Sequence, residues 1–196
     1  MNTRCIVVIG HVDHGKTSLV RALTGIETDR TAEEKARGLS IVPGFAHKSY
    51  PDGTLDFIDA PGHEDFIQAM VSGTSGAQAA LLVVSATEGV GAQTLEHLNI
   101  AGLLGITHGV IAVTKSDLLS PSEHATCLTT LKATLSDTPL ADAPMILCSA
   151  KTEDGLDTLH DTIQSHLMCP PTTNPPPHII PPLNPALSIW GQGTNE

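Results

Sequence analysis

The sequence predicts an α/β domain: a mostly parallel, doubly wound, six-stranded sheet with one antiparallel hairpin strand. Three observations carry this. Short, wholly apolar runs alternate with amphipathic stretches, the pattern of strands covered by helices on both faces. The loop Gly10-His11-Val12-Asp13-His14-Gly15-Lys16-Thr17, of the form G-x4-G-K-T, lies between the apolar run Cys5-Ile6-Val7-Val8-Ile9 and the helical stretch Ser18-Leu19-Val20-Arg21-Ala22-Leu23. That is the strand–loop–helix setting of a phosphate-binding P-loop. Finally, Tyr50-Pro51-Asp52-Gly53-Thr54 is a Pro-Asp-Gly turn between two short strand-like runs, which pair as an antiparallel hairpin.

Taken in order, strands are predicted over residues 4–9, 44–50, 54–59, 79–85, 109–114 and 144–149. Helices are predicted over 15–24, 64–72, 91–104, 121–136 and 155–168. Ala80-Leu81-Leu82-Val83-Val84 and Val110-Ile111-Ala112-Val113 are apolar throughout, as central parallel strands are. Right-handed crossovers place the ligand at the carboxyl ends of such strands. Residues 24–44 break the alternation with Glu27, Asp29, Arg30, Glu33, Glu34, Lys35 and Arg37. A loop this long inside a compact domain is either a solvated surface segment or functional. Its place directly after the P-loop helix favours a switch ordered by a γ-phosphate. At Pro170 the composition changes: eight of the 14 prolines lie between Pro170 and Pro185. Proline fixes φ and removes donors, so this stretch reads as an extended, semi-rigid linker. The expected organisation is a domain over 1–169, a linker over 170–185 and a short piece over 186–196 that cannot fold alone.

The 196 residues suffice for one domain with a real core. A net charge of −11, from 10 basic and 21 acidic residues, argues against a broad nucleic-acid footprint on this chain. Aromatic residues make up 3%, so no stacking platform for single strands is evident. Cys5, Cys127, Cys148 and Cys169 form no C-x2-C pair. Cys5 and Cys148 fall in apolar runs, where cysteine acts as a small buried hydrophobe. This usage fits a reducing compartment, and a cytoplasmic, monomeric chain is expected. No signal-peptide pattern is seen, and no apolar run approaches the roughly 20 residues of a membrane helix.

Four short motifs carry the chemistry. The backbone N–H groups of His11, Val12, Asp13, His14, Gly15, Lys16, Thr17 and Ser18 are the candidate phosphate cradle, reinforced by the helix N-terminus. Lys16 can reach β- and γ-phosphates, and the Thr17 hydroxyl can ligate Mg²⁺. Asp59-Ala60-Pro61-Gly62 follows a predicted strand: Asp59 is placed to hold Mg²⁺ through water, and Gly62 to offer a flexible N–H near the γ-phosphate. In Thr114-Lys115-Ser116-Asp117, the Asp117 carboxylate can accept from both N1–H and the 2-amino group of guanine. Adenine lacks that donor set and would leave the acid unpaired. The aliphatic stem of Lys115 can cover the base. The backbone of Ser149-Ala150-Lys151 can bind the guanine O6. Each string alone arises by chance; in this order, each after a strand, they point to guanosine triphosphate and diphosphate. His11 and His14 have no metal-ligand company in sequence, so no zinc site is read there.

Together G-H-V-D-H-G-K-T, D-A-P-G-H-E, T-K-S-D and S-A-K resemble the translational GTPases of the elongation factor Tu class. Between them, Thr24-Gly25, Asp29-Arg30, Glu33-Glu34-Lys35 and Arg37-Gly38-Leu39-Ser40-Ile41 resemble the selenocysteine-specific elongation factors. The short gap between Lys16 and Arg37 suits that group, whereas elongation factor Tu carries an insertion there. So do Gly62-His63-Glu64-Asp65-Phe66-Ile67 with Met70 and Gly73, and Thr114 where most GTPases have Asn. The resemblance covers about residues 5–168.

The resemblance implies a P-loop GTPase fold and a set of roles. His63 matches the histidine that positions the attacking water, flanked by an apolar gate of Val12 and Leu39. Ser40 stands where the family usually has a metal-sensing Thr, giving metal contacts at Thr17, Ser40 and Asp59. Val42-Pro43 replaces a more usual Asp-Leu, and Leu95 stands where relatives often carry Arg. Leu187-Ser188-Ile189-Trp190-Gly191-Gln192-Gly193-Thr194 resembles the opening of the second, β-barrel domain of these factors. The chain is therefore expected to be a fragment, or the product of a truncated or frameshifted gene. The expected partner is the ribosome, with selenocysteinyl-tRNA and a messenger RNA hairpin only for an intact factor. Three alternatives stand beside this reading: the G domain of elongation factor Tu or of an initiation factor two gamma subunit, a non-catalytic nucleotide-binding module, and an ATP-using P-loop kinase.

Overall fold

The computed structural model describes residues 2–28, 42–51, 53–61 and 76–168. The linker, the residues after it, the predicted helix over 64–72 and most of the charged segment lie outside these. Six strands are formed: β1 (Asn2–Ile9), β2 (Gly44–Tyr50), β3 (Gly53–Asp59), β4 (Ala79–Ser85), β5 (Gly109–Thr114) and β6 (Met145–Leu147). Four α-helices accompany them among the described residues: α1 (Lys16–Thr24), α2 (Ala92–Leu103), α3 (Pro121–Thr134) and α4 (Leu156–Leu167). The strands make one sheet of order β2-β3-β1-β4-β5-β6. Only β2 is antiparallel to its neighbour, with Tyr50 opposite Gly53 at the hairpin end.

The two-residue period of the strands divides the core. Ile6 and Val8 of β1, with Leu55 and Phe57, Leu81 and Val83, Val110 and Ala112, face α1 and α4. Val7 and Ile9, with Leu82 and Val84, Ile111 and Val113, face α2 and α3. Both faces are buried, which explains the apolar runs of the central strands. The helices match this with spacing: Leu159, Ile163 and Leu167 recur every four residues on α4, and all three are fully buried. Each such side chain contributes roughly 1.5–3 kcal/mol by leaving water. On the edge strand β2, Ala46 is buried while its neighbours Phe45 and His47 are exposed. Helix α3 starts where Pro121 takes the first position and Glu123 accepts from the Ser120 N–H at 2.8 Å.

Element ends differ from the sequence expectation by a residue or two, most at β6. The apolar run over 144–149 pairs with β5 only through Met145, Ile146 and Leu147. At Cys148 the chain turns away, its N–H still donating to Val113 O at 2.8 Å. Cys148 is fully buried, and burial pushes its thiol up to about 12. Cys5, expected to be buried, is only half-buried.

Five strands run the same way, so the loops after Ile9, Asp59, Ser85, Thr114 and Leu147 gather along one edge. Because β1 has β3 on one side and β4 on the other, the loop after β1 lies where the winding direction reverses, the usual ligand crevice of such sheets.

Candidate functional site

The loop after Ile9 is held by its backbone. Gly10 has φ +153°, and a Cβ there would lie 2.2 Å from the Val83 carbonyl oxygen, so the loop can leave β1 against β4 only with glycine. Asp13 takes φ 63°, which a short polar side chain tolerates, and Gly15 takes φ 85° as the cap of α1. The Lys16 ammonium donates to His11 O at 3.0 Å and is buried. His14 does not offer its ring to the cavity: the side chain is buried, and burial holds its pKa below the ordinary histidine value. His11 packs edge-on against it, ring centres 5.3 Å apart.

Asp59 ends β3 opposite Val8. Its carboxylate is 1% exposed and receives two hydroxyls on one oxygen, Thr17 Oγ1 at 2.8 Å and Thr28 Oγ1 at 2.6 Å. This all-oxygen set of carboxylate and hydroxyl suits a hard cation such as Mg²⁺. Thr28 was not visible as a site residue in the sequence, where it is one hydroxyl in a polar segment. Gly62 and His63 lie outside the described residues, as do Leu39 and Ser40.

The second half of the site is assembled from two strand ends. Thr114 closes β5, and its buried hydroxyl donates to His14 O at 2.6 Å, tying the base motif to the P-loop. Lys115 has φ 57°, a strained value for lysine. Its ammonium donates to Glu88 Oε1 at 2.8 Å. The Ser116 N–H donates to Cys148 O at 3.2 Å, which joins the loops after β5 and β6. In the latter loop, Ser149 N–H donates to Asp154 O at 2.9 Å and Lys151 N–H to Ser149 Oγ at 3.2 Å. Of the three N–H groups read from the sequence, that of Ala150 alone has no acceptor among the described residues.

These parts enclose one open cavity of about 450 Å³. Asp13, Gly15 and Ser18 line it from the P-loop; Thr114, Lys115, Asp117, Leu118, Ser149, Ala150 and Lys151 line it from the loops after β5 and β6. Leu118 and Glu88 were not singled out from sequence. Glu88 follows β4 at the same sheet edge, so the edge rule is the signal that could have found it. His97 of α2 is a third such residue: it is 1% exposed, and burial, with the charge of Lys16 and then His11 nearby, pushes its pKa down to about 4.

A P-loop at the switch point of a doubly wound sheet, opening into a cavity with an acid at its far end, defines a nucleotide-binding α/β domain. The chain belongs to the elongation factor Tu GTP-binding-domain family, whose model matches residues 1–168. It is 46% identical over 151 residues to the selenocysteine-specific elongation factor of Desulfomicrobium baculatum, covering 76% of this chain and 24% of that protein. It is 39% identical over 191 residues to the translation initiation factor 2 gamma subunit of Halorubrum lacusprofundi, covering 84% of this chain and 46% of the relative. The fold matches the crystal structure of a bacterial selenocysteine-specific elongation factor with a TM-score of 0.81 at 41% identity, over 85% of this chain and 29% of that one. The chain thus spans about a quarter of the length of the curated elongation factor it matches. Among the described residues, no helix is long and apolar enough to cross a membrane.

Proposed function

We propose that this chain is the GTP-binding and GTP-hydrolysing domain of a selenocysteine-specific elongation factor, spanning residues 1–169. One observation carries the nucleotide reading: the P-loop residues and the Asp117 and Ser149–Lys151 motifs line the same cavity. Phosphates lie on the Asp13–Ser18 end, where the helix N-terminus favours negative charge. The base lies at the other end, with Asp117 accepting from guanine and the Ala150 N–H donating to O6. Thr17 and Asp59 would hold Mg²⁺, with Ser40 as the third ligand that the family resemblance implies; the metal would neutralise charge on the β- and γ-phosphates.

Hydrolysis is in-line attack by water: an O–P bond forms to the γ-phosphorus as the bond to the β–γ bridging oxygen breaks. Lys16 stabilises the charge that develops there. His63 orients the water. The rate is slow until the ribosome completes the site. The 46% identity to the Desulfomicrobium baculatum elongation factor, against 39% to the Halorubrum lacusprofundi gamma subunit, favours the former, as does the compact residue 24–41 segment. In an intact factor the GTP state would deliver selenocysteinyl-tRNA to a recoded UGA codon, beside a messenger RNA hairpin. Residues 170–185 act as the linker to a barrel that opens at 186–196.

The test is His63→Ala beside Lys16→Ala. His63→Ala should bind GDP as the parent does and lower ribosome-stimulated GTP hydrolysis. Unchanged stimulated hydrolysis removes His63 from its role. Lys16→Ala should lose nucleotide binding; retention of tight GDP binding would sink the P-loop assignment.

A further inference from the structure

Glu88 belongs to none of the four nucleotide motifs, yet it touches two of them. It sits in the turn after β4, and its carboxylate reaches in two directions. Oε1 accepts from the Lys115 ammonium at 2.8 Å. Oε2 lies 3.6 Å from Nε2 of His14, whose side chain is 2% exposed. Lys115 lines the cavity and Glu88 does not, so the carboxylate holds the far end of the lysine from outside the cavity.

The stability gained from this contact is small. Glu88 and Lys115 side chains are 47% and 32% exposed, and such pairs contribute at most about 1 kcal/mol. Its effect on binding is of another kind. A lysine side chain carries about 2 kcal/mol of rotamer entropy. A lysine already fixed beside the base position does not lose that freedom when the base arrives. The approach to His14, at 3.6 Å, is beyond hydrogen-bond length and adds little. The Thr114 hydroxyl makes the hydrogen bond to that residue, through the His14 carbonyl at 2.6 Å.

We propose that Glu88 is a positioning residue for guanine-nucleotide binding, holding Lys115 in place along the base. The proposal rests on the reading that this cavity takes GDP and GTP.

The test measures release of N-methylanthraniloyl-GDP from the full chain by stopped flow. The variants are Glu88→Gln, Glu88→Asp, Lys115→Met and the Glu88→Gln/Lys115→Met pair. Glu88→Gln should release the nucleotide about 5- to 10-fold faster, and Glu88→Asp, which keeps the charge one methylene short, by an intermediate factor. Thermal unfolding of the nucleotide-free chain should hardly change. The double variant should release no faster than Lys115→Met alone, because the carboxylate acts through the lysine. Salt near 0.5 M should narrow the difference between the parent and Glu88→Gln, since this pair is partly exposed. Release from Glu88→Gln at the parental rate overturns the proposal, and so does a double variant in which the two effects multiply. A parent chain that binds no GDP refutes the nucleotide reading itself, and the proposal with it; binding by the parent with no effect of Glu88 refutes the proposal alone.

Discussion

The two ends of the cavity are built on opposite plans. The phosphate end is one unbroken stretch, the loop Gly10 to Gly15 with the first turn of α1, whose shape is set by its own backbone: Gly10 against the Val83 carbonyl, a turn at Val12 and Asp13, and the Gly15 cap. The base end is a composite. Thr114 to Asp117 and Ser149 to Lys151 come from different strands and are joined by cross-links, Ser116 N–H to Cys148 O and Cys148 N–H to Val113 O. A contiguous loop concentrates its function in a few atoms, so single changes should remove it. A composite end should degrade in steps.

The largest expected effect is therefore at the phosphate end. On the proposed reading, Lys16→Ala would remove a charge-assisted bond to the β-phosphate and should weaken GDP binding by roughly 1,000-fold or more, about 4 kcal/mol, in calorimetric titration. Survival of micromolar binding would break the contrast. Next comes Asp117→Ala, which removes a bidentate charged contact and should cost roughly 100-fold, about 3 kcal/mol, while the phosphates stay bound. It should also narrow the preference for guanine over inosine nucleotides, which lack the 2-amino donor; an unchanged ratio would place the base elsewhere.

Thr114→Val is smaller. It deletes the buried bond to His14 O and should weaken GDP about 10-fold, with a loss of about 1–2 kcal/mol in stability. Equal effects on GDP and on folding would be expected of a tie between the two ends. A fall in stability alone would make Thr114 a core residue.

The last effect is one of pH; it acts on folding rather than on nucleotide binding, and it belongs to the phosphate end. His97 titrates near 6.5 when exposed and near 4 in the fold. Between those values the unfolded chain takes up a proton that the folded chain does not. Stability should therefore fall as pH drops from about 6.5 toward 4, with at most about 3 kcal/mol from this residue. Urea unfolding at pH 7 and at pH 4.5 should show a shallower acid loss in His97→Asn than in the parent.

The same contrast explains what could be read from sequence. A contiguous motif displays its chemistry directly, so Gly10 to Thr17 was legible without a fold. The sheet was nearly as clear, because strands buried on both faces read as unbroken apolar runs. The base end was legible only because each short string follows a strand. What escaped are residues that act across the sheet edge. Thr28 and Glu88 have ordinary side chains in ordinary loops, and only the fold brings them to Asp59 and Lys115. The ends of β6 also escaped, since the apolar character of 144–149 outlasts its pairing, and Cys148 is buried without being in the strand.

The central claim is that one cavity takes a guanine nucleotide with its phosphates on the P-loop. Competition against bound N-methylanthraniloyl-GDP in the presence of Mg²⁺ tests it most directly. The account predicts that GDP and GTP displace the probe at one site per chain, and that ATP at about 100-fold excess does not. Displacement by ATP as effective as by GTP, or a chain that binds no probe at all, would contradict it.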